Sequence, residues 1–313
     1  MIVNGWVTRR AVAVLTLGLM LGMGVTTGPA RAADPVRVGS KLDAESGLLG
    51  TMILQVLEAN GVATVNKVQL GPTKIVRGAL LAGEIDLYPE YTGNGAFFFN
   101  IDGDPVWKNA GAGYEKVRQL DQEKNGIVWL KPAPANNTWA IAVRRDVATA
   151  NKLATMEDFA KWVAGGAAKI AASAEFVESP AALPSFQGTY GFAMKPEQIL
   201  VLAGGDTAAT IRAAAEGTSG VNSAMVYGTD GAIAALDLVV MRDTKGAQMV
   251  YEPAPTVRAA VLEKNPGIRE ALEPVFASLD AETLRGLNAK IAVEGQDQKQ
   301  VAAAYLKAKG FLK

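Results

Sequence analysis

Two residue types are missing altogether: the 313-residue chain contains no cysteine and no histidine. Without cysteine there is no disulfide and no thiolate nucleophile; without histidine the commonest general base and the commonest transition-metal ligand are gone. No G-x-S-x-G, S-x-x-K or Walker A pattern takes their place. Most hydrolase, redox and zinc mechanisms are thereby excluded, no cofactor or metal is expected, and an enzyme is only a remote alternative. An excess of charge is missing too, because 31 basic side chains face 31 acidic ones. Nucleic acid is therefore not an expected partner, since its binding needs clustered positive charge. Long apolar runs are equally scarce. The longest, residues 11–25, has 15 residues, short of the roughly 20 that a transmembrane helix requires.

What that run does resemble is part of an export signal. Arg9 and Arg10 precede it, and Ala30-Arg31-Ala32 follows it with the small-residue pattern of a cleavage site. Residues 1–32 are read as a signal peptide, cleaved after Ala32, and the protein is expected in the periplasm. Removing them takes away three arginines and no acid, leaving 28 basic against 31 acidic side chains. The remaining 281 residues (313 less 32) exceed one typical domain of about 100–200 residues, so two lobes are expected.

Short β-rich runs alternate with helical ones along the chain. Strands are expected at 36–40, 65–70, 85–91 and 127–130, and helices at 48–60, 73–82 and 114–124. That is the pattern of βαβ units around a mainly parallel sheet. The Pro-rich connector Lys131-Pro-Ala-Pro-Ala-Asn-Asn137 marks a first crossing between lobes. A second α/β alternation follows, with strands at 138–143, 169–174 and 222–227 and helices near residues 156–163, 183 and 207. The chain then returns through 238–242 and 249–251 and ends in helices at 267–279, 281–292 and 299–309, which are expected to pack on the first lobe. The domain reading is residues 33–136 with 233–313 as lobe 1 and residues 137–232 as lobe 2.

The residues that carry chemistry are aromatics at strand ends. Tyr88 and Tyr91 lie in Asp86-Leu-Tyr-Pro-Glu-Tyr-Thr-Gly-Asn-Gly95, Trp139 follows the connector, and Tyr227 opens Tyr227-Gly-Thr-Asp-Gly231. In open α/β sheets the carboxyl ends of strands form the ligand crevice. A trimethylammonium group donates no hydrogen bond, so a site selects it with π faces, each contributing about 0.5–2 kcal/mol once desolvated. Several rings aimed at one point read as a cation cage; any one of them alone reads equally as core filling. The Gly204-Gly205-Asp206-Thr207 turn reads first as a helix entry, with Asp206 or Thr207 as N-cap, and second as a ligand contact.

The segments Val38-Gly-Ser-Lys-Leu42, Asp86-Leu-Tyr-Pro-Glu-Tyr-Thr-Gly93, Asn137-Thr-Trp-Ala-Ile-Ala-Val143, Ala174-Glu-Phe176 and Tyr227-Gly-Thr-Asp-Gly231 occur in an order that resembles the glycine betaine, choline and carnitine-type osmoprotectant-binding proteins of ABC importers. This is the OpuAC-type family, and the likeness is greatest to its OsmF (YehZ)-like branch. The resemblance implies the type II periplasmic-binding-protein fold: two α/β lobes joined by a two-segment hinge, with the ligand cleft between them. It also implies a periplasmic binding protein that delivers glycine betaine or a related quaternary-ammonium osmolyte to ABC permease subunits in the inner membrane, working as a monomer. The family's cage residues fall on Tyr91, Trp139 and Tyr227, with the backbone near Asn137 touching the positive head, and Thr229 beside them. Trp139 stands where relatives usually have Tyr.

Lys41 matches the family lysine that would meet the ligand's carboxylate, its alternative being a solvated surface lysine. Asn94 stands where many relatives place a carboxylate-binding Thr. Where relatives supply an Arg after the Glu-Phe pair, this chain has Ser179. A guanidinium fork on a carboxylate adds energy and geometry that a hydroxyl lacks, so weak betaine binding or a choline-like preference is expected. The alternative within the binding class is a receptor for another small cation or an amino acid, with Glu90 facing the ammonium.

Overall fold

The computed structural model describes Met1, residues 34–202 and residues 207–313. Both the signal-peptide reading and the Asp206 turn lie outside those residues. Ten strands are described: β1 (Val36–Lys41), β2 (Thr64–Gly71), β3 (Leu87–Tyr91), β4 (Ile127–Trp129), β5 (Trp139–Arg144), β6 (Ile170–Ser173), β7 (Ile199–Leu202), β8 (Ser223–Tyr227), β9 (Leu238–Val240) and β10 (Pro253–Arg258). They form two five-stranded sheets, in the orders β2-β1-β3-β10-β4 and β7-β6-β8-β5-β9, inside one compact unit of residues 34–313. No helix of the described residues is long and apolar enough to cross a membrane.

The sheets are mixed rather than mainly parallel. β1 runs parallel to β2 and β3, but β10 runs antiparallel to β3 and β4. In the second sheet β6 is parallel to β7 and β8, while β5 is antiparallel to β8 and β9. The reversed strand in each sheet is the one that follows a crossing. The second crossing also falls later than the sequence suggests. β9 pairs Ala142↔Val240 and Val143↔Val239, so residues 238–240 belong to the second sheet rather than to the return into the first. Residues 249–251 are not a strand but part of the crossing itself, where the Asn137 N–H donates to the Tyr251 carbonyl at 2.9 Å and the Tyr251 N–H to Asn136 Oδ1 at 2.8 Å.

β10 escapes a sequence reading because Pro253 and Pro255 disqualify it as a central strand. The ladder accommodates them: backbone groups alternate sides along a strand, and both prolines turn their carbonyls to the first crossing, accepting from Ala133 and Leu130 N–H groups at 2.8 and 2.9 Å. Their missing donors face the same side, so no bond to β3 is lost.

The helix Ala44–Ala59 starts four residues earlier than its apolar periodicity indicates. Asp43 caps it, accepting the Ser46 N–H at 2.8 Å, as a short acid at an N-cap does. Leu48, Leu49, Met52, Ile53 and Leu57 are fully buried in one core with β1 and with Ile268, Leu272, Phe276, Leu284 and Leu306 of the C-terminal helices. Truncating such a leucine to alanine costs about 2–5 kcal/mol, which makes this helix a fixed platform. The early start places Glu45 in its first turn, at the ligand crevice.

One loop of the half built on the second sheet, the second body, bears directly on the half built on the first. A Cβ at Gly228 would lie 2.1 Å from the Asn136 carbonyl oxygen, and one at Gly231 would lie 2.4 Å from the Ala289 nitrogen of the helix Ala281–Ala292. Arg285 of that helix donates through Nε to the Gly228 carbonyl at 2.7 Å. Only glycine fits at either position.

Candidate ligand-binding cleft

A cleft of about 1280 Å³ opens between the two sheets, and Tyr91, Trp139 and Tyr227 all line it. The second sheet places two of these rings by register. Trp139 and Tyr227 are directly opposed across β5 and β8, and opposed residues project from the same face. Their rings stack, with centroids 6.4 Å apart and planes at 18°. Phe176 meets the Trp139 ring edge-on at 6.1 Å and 85°, which fixes the indole from behind. Tyr227 is 38% exposed, so part of its ring is free to meet a ligand in the cleft.

The third ring comes from the first sheet, at the carboxyl end of β3. Tyr88 and Tyr91 are an odd number of residues apart and so point to opposite faces of that strand. Tyr91 lines the cleft; Tyr88 is fully buried in the core, with its hydroxyl donating to Glu90 Oε2 at 2.8 Å. The reading of Tyr88 as a ligand contact is therefore corrected to a core residue.

Two buried carboxylates stand beside Tyr91. Glu90 is fully buried and is an acceptor for Lys41 Nζ at 2.6 Å, the Tyr91 N–H at 2.7 Å and Asn94 Nδ2 at 2.8 Å as well as for Tyr88. The Lys41 ammonium also sits 4.3 Å from the Tyr91 ring centroid. Lys41 and Asn94 line the cleft, yet the groups expected to meet a ligand carboxylate are both turned onto Glu90. Glu90 itself is not part of the lining, so it does not face a ligand ammonium as the amino-acid alternative requires.

Glu45 is the residue that sequence reasoning missed. It is 6% exposed and lines the cleft. Its Oε1 accepts the Tyr91 hydroxyl at 2.6 Å and Asn137 Nδ2 at 3.3 Å, and its Oε2 accepts Asn288 Nδ2 at 2.6 Å. Burial pushes the Glu45 carboxyl above its ordinary range, against the opposing pull of hydrogen bonds from Thr229, Tyr91 and Asn288. Burial likewise drives the Tyr91 phenol far up, with the Glu45 charge next in weight. The available signal was an acid two residues past a helix cap at the end of the first strand, but its partners lie as far away as Asn288.

Of the other expected contacts, Asn137 and Thr229 line the cleft, and so does Ser179, at the position of the missing arginine. Thr207 opens the helix Thr207–Glu216 and is not among the lining residues. No arginine of the described residues lines the cleft; the lysines are Lys41 and Lys108, and the acids are Asp43, Glu45, Asp102, Asp104 and Asp230. With Lys41 neutralised by Glu90, the wall is negative and aromatic. It is suited to a cation and poor in groups for an anion.

Comparison with known proteins agrees with that chemistry. The family described as the substrate binding domain of ABC-type glycine betaine transport system (OpuAC) matches residues 34–308. The chain is 59% identical over 300 residues to the glycine betaine-binding protein YehZ of Escherichia coli (strain K12), spanning 96% of this chain and 98% of that protein. It is 30% identical over 282 residues to a glycine-betaine-binding protein of Pseudomonas aeruginosa, spanning 88% of each. Among solved structures, apo YehZ from Escherichia coli matches with a TM-score of 0.87 at 61% identity, over 89% of this chain and 100% of that one.

Proposed function

Because the chain belongs to the family of substrate-binding domains of ABC-type glycine betaine transport systems, we propose that its cleft captures glycine betaine or a related quaternary-ammonium osmolyte in a cage of Tyr91, Trp139 and Tyr227. It is a binding protein rather than an enzyme, and it has the α/β fold of periplasmic binding proteins of this type. The observation that carries the reading is that three rings from two sheets line one cleft in which acids outnumber bases. π faces and negative charge both favour a cation that cannot donate a hydrogen bond.

Two bodies move about the crossings near residues 131–138 and 243–252. Closing them brings the stacked pair of the second sheet towards Tyr91, and the closed form is what the ABC permease receives from a monomeric carrier. Ligand favours closure only through contacts that the open form lacks. Residues 1–32 direct the chain to the periplasm and are removed there.

Among the described residues the same cleft has no arginine to clamp a carboxylate. Ser179 stands where a guanidinium is wanted, and Lys41 is committed to Glu90. Glycine betaine is accordingly held by its head alone and weakly, and a choline-like cation is held at least as well. Calorimetric titration of the purified protein with both compounds tests this. We expect saturable binding of each, lost in Tyr91→Ala and in Trp139→Ala, with the ligand-free melting temperature of Trp139→Ala within a few degrees of the parent. Sub-micromolar betaine binding contradicts the weak-carboxylate reading, and a large fall in melting temperature in both variants returns the rings to core packing.

A further inference from the structure

Buried carboxylates in folded proteins are paired with a cation or lose their charge. Arg77 with Asp121 and Lys41 with Glu90 follow that rule here, each an ion pair with the acid fully buried. Glu45 departs from it: among the described residues no lysine or arginine pairs with it. Its neighbours nonetheless present the ionised form with donors. The Asn288 amide is fixed in orientation because its Nδ2 gives to the Thr229 carbonyl at 2.9 Å as well as to Glu45, and the Tyr91 hydroxyl points the same way. The acid is thus set up to carry a charge that the protein itself leaves without a counter-ion.

That charge is coupled to the cage. The Tyr91 O–H···Oε1 bond of 2.6 Å is charge-assisted and draws the proton away from the phenol, which leaves the ring richer in electrons and its face a better seat for a cation. The other partners of Glu45 adjoin the remaining rings, Asn137 two residues before Trp139 and Thr229 two residues after Tyr227.

We infer that the missing counter-ion of Glu45 is the ligand's own cationic head, so that Glu45 is the residue by which the cleft demands a positive charge rather than merely a trimethyl shape. This rests on the quaternary-ammonium reading of the cleft and names what enforces it. Choline and its uncharged carbon isostere, 3,3-dimethylbutan-1-ol, have nearly the same shape and differ in charge, so they separate the two properties.

The purified protein and its Glu45→Gln variant are titrated with both compounds, with glycine betaine as a reference ligand. For the parent we expect choline to bind at least 30-fold tighter than the alcohol. In Glu45→Gln we expect choline to weaken at least tenfold, while the alcohol changes by less than threefold. Loss of both ligands in equal measure makes Glu45 a structural residue and overturns the inference. If the variant is too unstable to titrate, Glu45→Asp, which keeps the charge, and Glu45→Ala replace it. Choline weakened tenfold in the second but not in the first supports the inference; equal losses of choline and the alcohol in both, or parent binding of the two within threefold of each other, overturn it. If glycine betaine and choline both fail to bind the parent, the cage reading falls and takes this inference with it; if they bind without the charge preference, only the role of Glu45 is lost.

Discussion

Glu45 and Glu90 flank the same tyrosine and are both buried, yet they stand in opposite electrostatic situations. Glu90 has Lys41 at 2.6 Å and faces the core with Tyr88. Glu45 has four neutral donors, no basic partner among the described residues, and faces the cleft. One acid is closed off within the first body of the protein, and the other is left open to whatever enters. A side chain that completes its own ion pair stabilises structure, whereas one that lacks half of its pair selects a visitor.

The largest effect expected from this contrast is on stability. Glu90→Gln leaves the Lys41 ammonium, buried in the wall of the cleft, without its counter-ion and should cost about 3–5 kcal/mol, as breaking one side of a buried pair does, read as a lower midpoint in urea unfolding. Glu45→Gln should leave that midpoint nearly unchanged. Equal losses in the two variants would erase the distinction drawn between them.

A smaller effect follows from the bridge between Glu45 and the cage. Tyr91→Phe keeps the ring but removes the donor, leaving a buried carboxylate short of a hydrogen bond at a cost of about 1–3 kcal/mol. Choline affinity should fall along with stability, whereas Tyr88→Phe, which removes a hydroxyl bonded to Glu90, should spare affinity. Calorimetry and urea unfolding of both variants check this.

The smallest effect is on pH dependence. Burial raises the folded-state value for Glu45 above its unfolded value, so its contribution to stability is fully present below the unfolded value and is lost as pH rises through the raised one. A cation that binds the ionised form must behave oppositely. Choline affinity should weaken as pH falls from neutral towards the ordinary carboxylate range, and this trend should flatten in Glu45→Gln. Identical slopes for parent and variant would assign the pH dependence to other acids of the wall.

Much of the scaffold was legible because its signals are local. Short β-rich runs mark β1 and β3, and the helices Thr73–Ala82 and Ala281–Ala292 fall where the sequence reading puts them. The rings at strand ends were legible for the same reason. β10 was not, because its two prolines are tolerated only through backbone bonds to a connector more than 100 residues earlier. The roles of Lys41 and Glu45 were hidden likewise: their decisive partners are Glu90, 49 positions away, and Asn288, 243 away. Tyr88 could have been set aside by strand parity alone.

The contact at Gly228 and Gly231 has a mechanical consequence. There the second body rests on the helix Ala281–Ala292 and on Asn136 with bare backbone at these two glycines, so in the closure proposed above no side chain at either point has to be unmeshed. Such a seat behaves like a smooth bearing: it resists separation through the Arg285 link while letting small rotations pass at little cost. Alanine at Gly231 would act as grit in that bearing, jamming the cleft at one angle while leaving every ring of the cage intact.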